Sequence, residues 1–352
     1  MKEQKKYELT DEYIEHWSGK KLYRIKALIT FGAVIAGQLG GYVEAERNLD
    51  QSGNAWVYGN ARVSGNARVS GNARVCDDAL VCGNARVSGN ALVCGNARVC
   101  DDALVCGNAR VCDDAWVCDD ALVCDDAWVC GNARVYDDAR VYDDARVYDD
   151  ARVCDDAWVY GNARVSGNAR VCDDAWVYGN ARVYGNALVS GNALVCGNAV
   201  VRSCAVISER KMIFWATNVG SENGTLTVFN GKDELLVTRG CFTGTVNEFL
   251  AKSAEVHDEK TKNEYKLLIE VAKSRIKGWQ APLRELPKPI YEIPDDADYL
   301  YYFGSNLNHK LLVKSVRVGE HDPSALLERR YYKSKDDVIQ VIEMLTGKPY
   351  QE

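Results

Sequence analysis

Cysteine spacing is the feature of this sequence that most invites a chemical interpretation. Twelve of the 14 cysteines occupy the same place in a six-residue repeat between residues 76 and 196. Reading three repeats as one coil aligns them in columns, such as Cys76, Cys94, Cys112 and Cys130, or Cys82, Cys100 and Cys118. A column of thiols could form disulfides or bind zinc, but a straight line suits neither the disulfide torsion angle nor a tetrahedral ion. We therefore interpret the cysteines as reduced packing residues and predict no metal site and no cofactor.

Paired aspartates form a second pattern with the same spacing. Five Asp-Asp pairs recur once per coil and would place ten carboxylates along one edge, because each pair opens a repeat. These residues are Asp101, Asp102, Asp119, Asp120, Asp137, Asp138, Asp155, Asp156, Asp173 and Asp174. Like charges about 5 Å apart repel each other, so the edge is either a solvated acidic ridge partly neutralised by arginine, a calcium ladder or a docking strip. Calcium solenoids carry a GGxGxD pattern that is missing here, so a basic protein partner is the better of the two binding hypotheses.

The elements that position these side chains follow from the repeat itself. From Gly53 to Arg202 the chain runs as 25 uninterrupted hexads, 15 of the form GNAxVx and ten of the form DDAxVx. Ala and Val at alternate positions indicate a strand with one buried face, and Gly-Asn or Asp-Asp suits the turn between strands. The pattern predicts an all-β solenoid, a three-sided parallel β-helix of about eight coils and roughly 40 Å in length.

The six-residue period and the small Ala and Val core resemble the left-handed parallel β-helix of hexapeptide-repeat proteins. The segment LYRIKALITFGAVIAGQLGG before the repeat resembles the entry segment of YdcK-like bacterial and phage proteins. These resemblances imply a left-handed coil and an N-terminal cap over residues 1–52, with a strand near Leu22 to Phe31 covering the first coil. The superfamily is best known for acyltransferases and carbonic anhydrases, whose activity rests on His in or beside the coils. All four histidines lie outside the repeat, so we predict that the protein is not an enzyme; they are His16, His257, His309 and His321.

The sequence after the solenoid, which we place at residues 53–208, changes to a mixed α+β composition. Residues 209–281 predict three strands in IFWATN, TLTVFNG and ELLVTRG, a turn at Asn230-Gly231, a helix from Thr245 to about Val256 and a second one from about Thr261. The block RGCFTGTVNEFLAK resembles a small domain of unassigned function that accompanies such repeats. A Pro-bearing linker at 282–297 precedes a second α+β segment at 298–352, with strands around Tyr299–Phe303 and Lys310–Val318 and a helix from about Lys335, capped by Ser334.

One face of the solenoid carries a stripe of large side chains. The three-hexad coil aligns Leu and Trp in one column and Tyr in the neighbouring column, whereas arginine interrupts the other two faces. The stripe consists of Leu104, Leu122, Trp158, Trp176, Leu194, Tyr142, Tyr160 and Tyr178. Exposed patches of this kind mark interaction sites, and Trp and Tyr are the residues that anchor them.

These observations predict a non-catalytic structural or interaction protein, a rigid scaffold that displays a C-terminal recognition module and self-associates as a homodimer through the stripe. The net charge of −7 argues against nucleic-acid binding, and no apolar segment predicts membrane binding or export, so we expect a cytoplasmic protein. One alternative is a phage or mobile-element effector that binds a host protein through a DNA-mimic-like acidic ridge. A remote alternative is an acyltransferase, or a thiol enzyme at Cys241, whose position at a strand end is more typical of a core residue.

Overall fold

The computed structural model describes residues 4–15, 19–276, 299–305, 311–317 and 338–339. The chain divides into two units, residues 1–279 and 280–352. Among the described residues, no helix combines the length and the apolar composition that a membrane crossing requires.

Three strands close the N-terminal end of the solenoid. Strands β1 (Tyr7–Glu15) and β2 (Lys21–Ala27) form an antiparallel hairpin, and β2 pairs antiparallel with β3 (Leu39–Val43). Strand β3 then runs parallel to the second hexad, with Tyr42 opposite Arg62. The covering strand predicted near Leu22 is therefore present, and it satisfies the strand edge that an open first coil would expose.

Every hexad contributes one short strand, formed by its fourth and fifth residues. These strands run from β4 (Trp56–Val57) to β28 (Val200–Val201), and each pairs in parallel with the strand three hexads later, as Leu104 does with Leu122. One side of the solenoid is a stack of nine such strands, one per coil, so the structure has about nine coils where the sequence predicted about eight. The ninth strand of this stack comes from the 25th hexad, and the solenoid also extends before the first hexad, where Leu49 bridges in parallel to Val69 just after a 3₁₀ turn at Glu46–Asn48.

The hexad pattern follows from where each side chain lies. The Ala and Val of every hexad are buried and form one continuous core along the rod. The first residue of each turn has a positive φ, for example 69° at Gly83 and 57° at Asp101, which Gly and Asp adopt more readily than most residues. Both variants of the hexad therefore build the same corner, and they differ only in the side chains that the corner presents.

An α+β region packs on the last coil. After β29 (Val206–Ile207) and a 3₁₀ turn at Arg210–Met212, four antiparallel strands and two helices follow. Their bounds are β30 (Ile213–Val219), β31 (Gly224–Asn230), β32 (Leu235–Arg239), β33 (Phe242–Thr245), α1 (Val246–Val256) and α2 (Glu259–Arg275). The three predicted strands, the turn at Asn230-Gly231 and both helices are confirmed, whereas β33 was not predicted.

The α+β region also closes the C-terminal end of the solenoid. The Val200 N–H donates to Thr227 Oγ1 at 3.1 Å, and the Thr238 hydroxyl donates to the Val200 carbonyl. Arg202 Nη2 donates to the Phe242 carbonyl at 2.7 Å. The last coil requires partners for its backbone groups, and these contacts supply some of them, so the sheet of β30 to β33 also caps the solenoid.

The second unit is described in three short segments. Strands β34 (Tyr299–Ser305) and β35 (Leu311–Arg317) form an antiparallel pair with Tyr299 opposite Arg317, as predicted. Val338 and Ile339 are helical, within the predicted last helix. The predicted linker at 282–297, the proposed cap Ser334 and His16, His309 and His321 lie outside the described residues.

Candidate functional site

The stripe of large side chains forms one surface, with Arg140 between Leu122 and Trp158, which we call the aromatic face. Strand pairing aligns Leu104, Leu122, Arg140, Trp158, Trp176 and Leu194 in one column. The rings of Trp158 and Trp176 stack at 5.1 Å with an angle of 7° between their planes. In the neighbouring column, Tyr160 stacks on Tyr142 at 5.0 Å and on Tyr178 at 4.9 Å.

The two tryptophan and three tyrosine rings also contact each other across the columns. Tyr142 meets Trp158 edge-on at 6.1 Å, and Tyr160 meets Trp176 edge-on at 6.4 Å. Trp176 is 37% exposed although it stacks on Trp158. Offset and edge-on aromatic contacts hold the rings in place, so the face is a preordered apolar surface that remains open to solvent.

Tryptophans on the other two faces have a different environment. Trp116 lies between Arg98 and Arg134, whose guanidinium carbons are 5.8 and 5.5 Å from its ring. Trp128 is enclosed in the same way by Arg110 and Arg146 at 5.9 and 5.6 Å. These rings thus have an arginine on both sides, whereas Trp158 has one arginine, Arg140 at 4.9 Å, and stacks on Trp176. Within residues 53–202 only the aromatic face presents tryptophans stacked on each other.

The acidic ridge consists of two rows of carboxylates. In the first row, Asp137 Oδ2 accepts the Asp155 N–H at 3.4 Å, and Asp173 Oδ2 accepts the Gly191 N–H at 2.9 Å. Each of these aspartates thereby ties its own turn to the turn of the next coil. Backbone hydrogen bonding gives the first row a structural role that the repeat pattern did not indicate.

In the second row, Asp102 accepts a hydrogen bond from Asn84 Nδ2 at 3.0 Å, and the three middle carboxylates lack such partners. Where Asn occupies this position in consecutive coils, its Nδ2 donates to the equivalent residue of the next coil, as Asn72 does to Asn90 at 3.0 Å. A carboxylate cannot donate, and Asp120, Asp138 and Asp156 make no side-chain hydrogen bond to the described residues. Within residues 53–202 no arginine forms an ion pair with an aspartate, so the neutralisation by arginine considered for this edge is not found there.

The thiol columns have unequal environments. The thiols of Cys118 and Cys82 and the indole N–H of Trp116, 3.1 Å from Sγ, donate to Cys100 and lower its pKa. A thiol of Cys130 and the Trp128 N–H, also at 3.1 Å, lower the pKa of Cys112 to about 7. Burial raises the pKa of Cys76 and of Cys124 to about 12. The columns therefore contain particular thiols that are held as hydrogen-bond acceptors.

In four cysteine pairs, an aspartate at the corner places a carboxylate beside the two sulfurs as a third possible metal ligand. The ligand atoms of each group lie within 4.8 Å of one another. The groups are Cys76, Asp77 and Cys94; Cys100, Asp101 and Cys118; Cys112, Asp113 and Cys130; and Cys154, Asp155 and Cys172. Residues 18 positions apart in the sequence share a column. The aspartate directly follows the first cysteine of each pair and belongs to a different column, so comparing residues within a column did not bring it together with the cysteines.

Cys241 is exposed in the turn between β32 and β33, so its interpretation as a core residue is wrong. Polar residues near Cys241 in the sequence have other contacts. Arg239 Nη2 donates to the Val219 carbonyl at 3.1 Å, Glu248 forms the capping box of α1 with Thr245, and His257 packs its ring 5.5 Å from that of Tyr265.

Parallel coils of three hexads with an Ala and Val core define a hexapeptide-like β-solenoid. Its repeats match the family model of the YdcK β-solenoid repeat in overlapping segments from 55–71 to 79–95 and from 127–143 to 181–197. The repeat region is thus a parallel β-helix built from repeats of the YdcK type. No curated protein matches the chain in sequence.

Several solved structures align with part of the chain at low similarity. A UDP-N-acetylglucosamine acyltransferase of Francisella novicida is 12% identical, with 63% of this chain and 79% of that chain covered and a TM-score of 0.35. LpxA of Acinetobacter baumannii is 11% identical, with 66% and 90% covered and a TM-score of 0.28. A UDP-N-acetylglucosamine acyltransferase of Campylobacter jejuni is 9% identical, with 65% and 82% covered and a TM-score of 0.19. Similarity at this level carries no conclusion about activity.

Proposed function

We propose that the protein is a non-catalytic interaction scaffold, a rigid capped solenoid that self-associates as a homodimer through the aromatic face. The observation that supports this most is the stack of Trp158 on Trp176, beside the stacked row of Tyr142, Tyr160 and Tyr178, on the open side of a rod. Large aromatic side chains lose little conformational entropy on binding and dominate the energy of protein interfaces.

The capped ends favour side-by-side association over growth along the rod axis. Strand β3 pairs with the second hexad and is covered by β2, and the sheet of β30 to β33 contacts the last coil at Val200 and Arg202, so both ends of the described solenoid are partly covered. A lateral face that is the same on both subunits can form a closed two-fold interface. Apolar contacts between two such faces would be insensitive to salt, because no charge pair carries them.

The test compares two double variants by light scattering. Trp158→Glu with Trp176→Glu places two charges on the aromatic face and should convert a dimer into a monomer of 39.0 kDa. Trp116→Glu with Trp128→Glu makes the same chemical change on the other two faces and should leave the dimer intact. Circular dichroism should show the same fold for both. A dimer that survives the first double variant, or dissociates equally in both, would contradict the proposal.

A second candidate function is favoured by three carboxylates in the second row of the acidic ridge that have no ion-pair or hydrogen-bond partner among the described residues. Five neighbouring coils present carboxylates there, and Asp120, Asp138 and Asp156 have neither an arginine partner nor a hydrogen bond among the described residues. A basic surface of a host protein would relieve their repulsion, as in an effector that imitates the phosphates of DNA. Such a complex should dissociate in moderate salt and should be lost when these three residues are changed to Asn, whereas the aromatic-face variant should retain it.

A further inference from the structure

Seven pairs of cysteines lie directly above one another in consecutive coils. In four of these pairs the lower cysteine is followed by Asp, and these are the groups in which two sulfurs and a carboxylate oxygen lie within 4.8 Å of one another. In the other three pairs the lower cysteine is followed by Gly83, Gly95 or Gly107. The two kinds of pair thus differ in the corner that follows the lower cysteine, which is Asp-Asp in the first kind and Gly-Asn in the second.

We propose that each of the four Cys-Asp-Cys groups binds a thiophilic divalent metal ion, with zinc as the representative, through two thiolates and one carboxylate. Zinc accepts sulfur and carboxylate oxygen together, and sites with three protein ligands keep a fourth position for water. Two thiolates in a column supply only two of the four ligands of a tetrahedral zinc ion. The aspartate lies off the line of the column, so its carboxylate can act as a third ligand from a different direction.

The backbone holds these carboxylates beside the sulfurs. Asp77 and Asp113 have φ values of 62° and 60°, so their side chains leave the corner in the same direction. Asp77 Oδ2 accepts the Gly95 N–H at 3.0 Å, and Asp113 Oδ2 accepts the Gly131 N–H at 3.2 Å. One oxygen of each carboxylate is therefore fixed by the next coil, and hydrogen bonds of this kind to a ligand orient it for a metal.

Indole groups fix two of the sulfurs in the same way. The N–H of Trp116 donates to Cys100 Sγ and that of Trp128 donates to Cys112 Sγ, both at 3.1 Å. The two indoles are themselves held between pairs of arginines. A donor that points at sulfur stabilises the thiolate, which is the form that binds metal.

No cysteine belongs to two groups, so all four could bind an ion at once. In the four-cysteine column, Asp77 and Asp113 alternate with Gly95 and Gly131, which divides the column into two separate sites. Surface grooves also reach the sulfurs. One groove of about 540 Å³ is lined in part by Cys82, Cys100 and Trp116, and another of about 210 Å³ by Trp128 and Cys130.

The experiment titrates the full chain, reduced and freed of metal under anaerobic conditions, with Cd²⁺ as a spectroscopic probe. Thiolate-to-metal charge-transfer absorption should rise to a plateau at four equivalents per chain. Asp113→Asn retains the corner conformation but replaces the carboxylate by a neutral amide, and it should lower the plateau to three. Cys130→Ser should do the same.

The matched control is the double variant Cys106→Ser with Cys124→Ser, which removes a cysteine pair that has Gly107 at its corner. This variant should keep the plateau at four. Absence of charge-transfer absorption at stoichiometric Cd²⁺ would overturn the proposal. An unchanged plateau in Asp113→Asn, or a plateau that falls in the control, would also overturn it, because pairs without a carboxylate would then bind equally well. Neither result depends on whether the aromatic face forms a dimer.

Discussion

The aspartates in the second row of the acidic ridge should lower the free energy of unfolding, and asparagine at the same positions should raise it. Asn side chains at this turn position form rungs between coils, with Asn54 donating to Asn72 at 2.9 Å and Asn90 to Asn108 at 2.9 Å. The triple variant Asp120→Asn, Asp138→Asn and Asp156→Asn would create three new donors along the ridge. It would also remove the four neighbouring carboxylate pairs between Asp102 and Asp174. We therefore expect the variant to be more stable than the wild-type protein.

The magnitude follows from two contributions of similar size. An exposed amide rung contributes about 0.5 kcal/mol, the lower end of the range for hydrogen bonds in proteins. Two carboxylates about 5 Å apart in water repel each other by about 0.8 kcal/mol, and 0.1 M salt screens roughly half of this. Three rungs and four relieved pairs together raise the free energy of unfolding by about 3 kcal/mol at 0.1 M salt, of which about half depends on salt.

A second triple variant isolates the repulsion. Asp78→Asn, Asp114→Asn and Asp150→Asn change the charge equally and also create three donors, because the equivalent residue of the next coil is Asn in each case. These aspartates have no carboxylate neighbour in their row, so the expected gain is about 1.5 kcal/mol and independent of salt. Urea denaturation followed by circular dichroism, with slopes compared between variants, measures both gains. Equal stabilisation of the two triple variants at low salt, or destabilisation of the ridge variant, would refute the reasoning.

Three further predictions concern the two ends of the rod. Trp56→Ala should lower the free energy of unfolding by about 3–5 kcal/mol, because the fully buried ring packs against Tyr7 and Phe31 under the N-terminal cap; thermal melting measures the loss. Burial lowers the pKa of Lys6 to about 8, so its charged form is disfavoured in the folded state, and Lys6 should destabilise the fold less as the pH rises from 8 to 10. The raised pKa of Cys76 and Cys124 lowers stability over the same range, so the measured quantity is the difference in free energy of unfolding between Lys6→Met and the wild type, which should shrink from pH 8 to pH 10; a constant difference would contradict the assignment. Thr245→Ala should cost about 1 kcal/mol by removing the N-cap of α1, with Thr243→Ala as the control; equal losses in both would argue against the capping box.

Residues at the same place in consecutive coils were predictable from the sequence. A parallel ladder without insertions keeps the three-hexad register, so the stacks of Trp158 on Trp176 and of Tyr142 on Tyr160 follow from counting. The buried Ala and Val and the turn residues follow from the hexad period in the same way. Contacts between side chains were predictable wherever the two residues are related by one coil, that is by 18 residues along the chain.

Diagonal contacts were not predictable by the same counting. Asp77 meets Cys94 as well as Gly95, its own counterpart in the next coil, because a positive φ turns its side chain along the corner. Trp116 meets Cys100 of the preceding coil through the direction of its indole ring. The closure of the last coil was also missed, since it depends on how the Thr227 and Thr238 side chains meet Val200, which lies far from both in the sequence.

The most direct measurement is sedimentation equilibrium of the purified full chain over a range of protein concentrations, at low and moderate salt. A scaffold that associates through its aromatic face should show a dimer, twice the chain mass of 39.0 kDa, at both salt concentrations. A mass of one chain at every concentration, or a dimer that salt dissociates, would contradict association through this face.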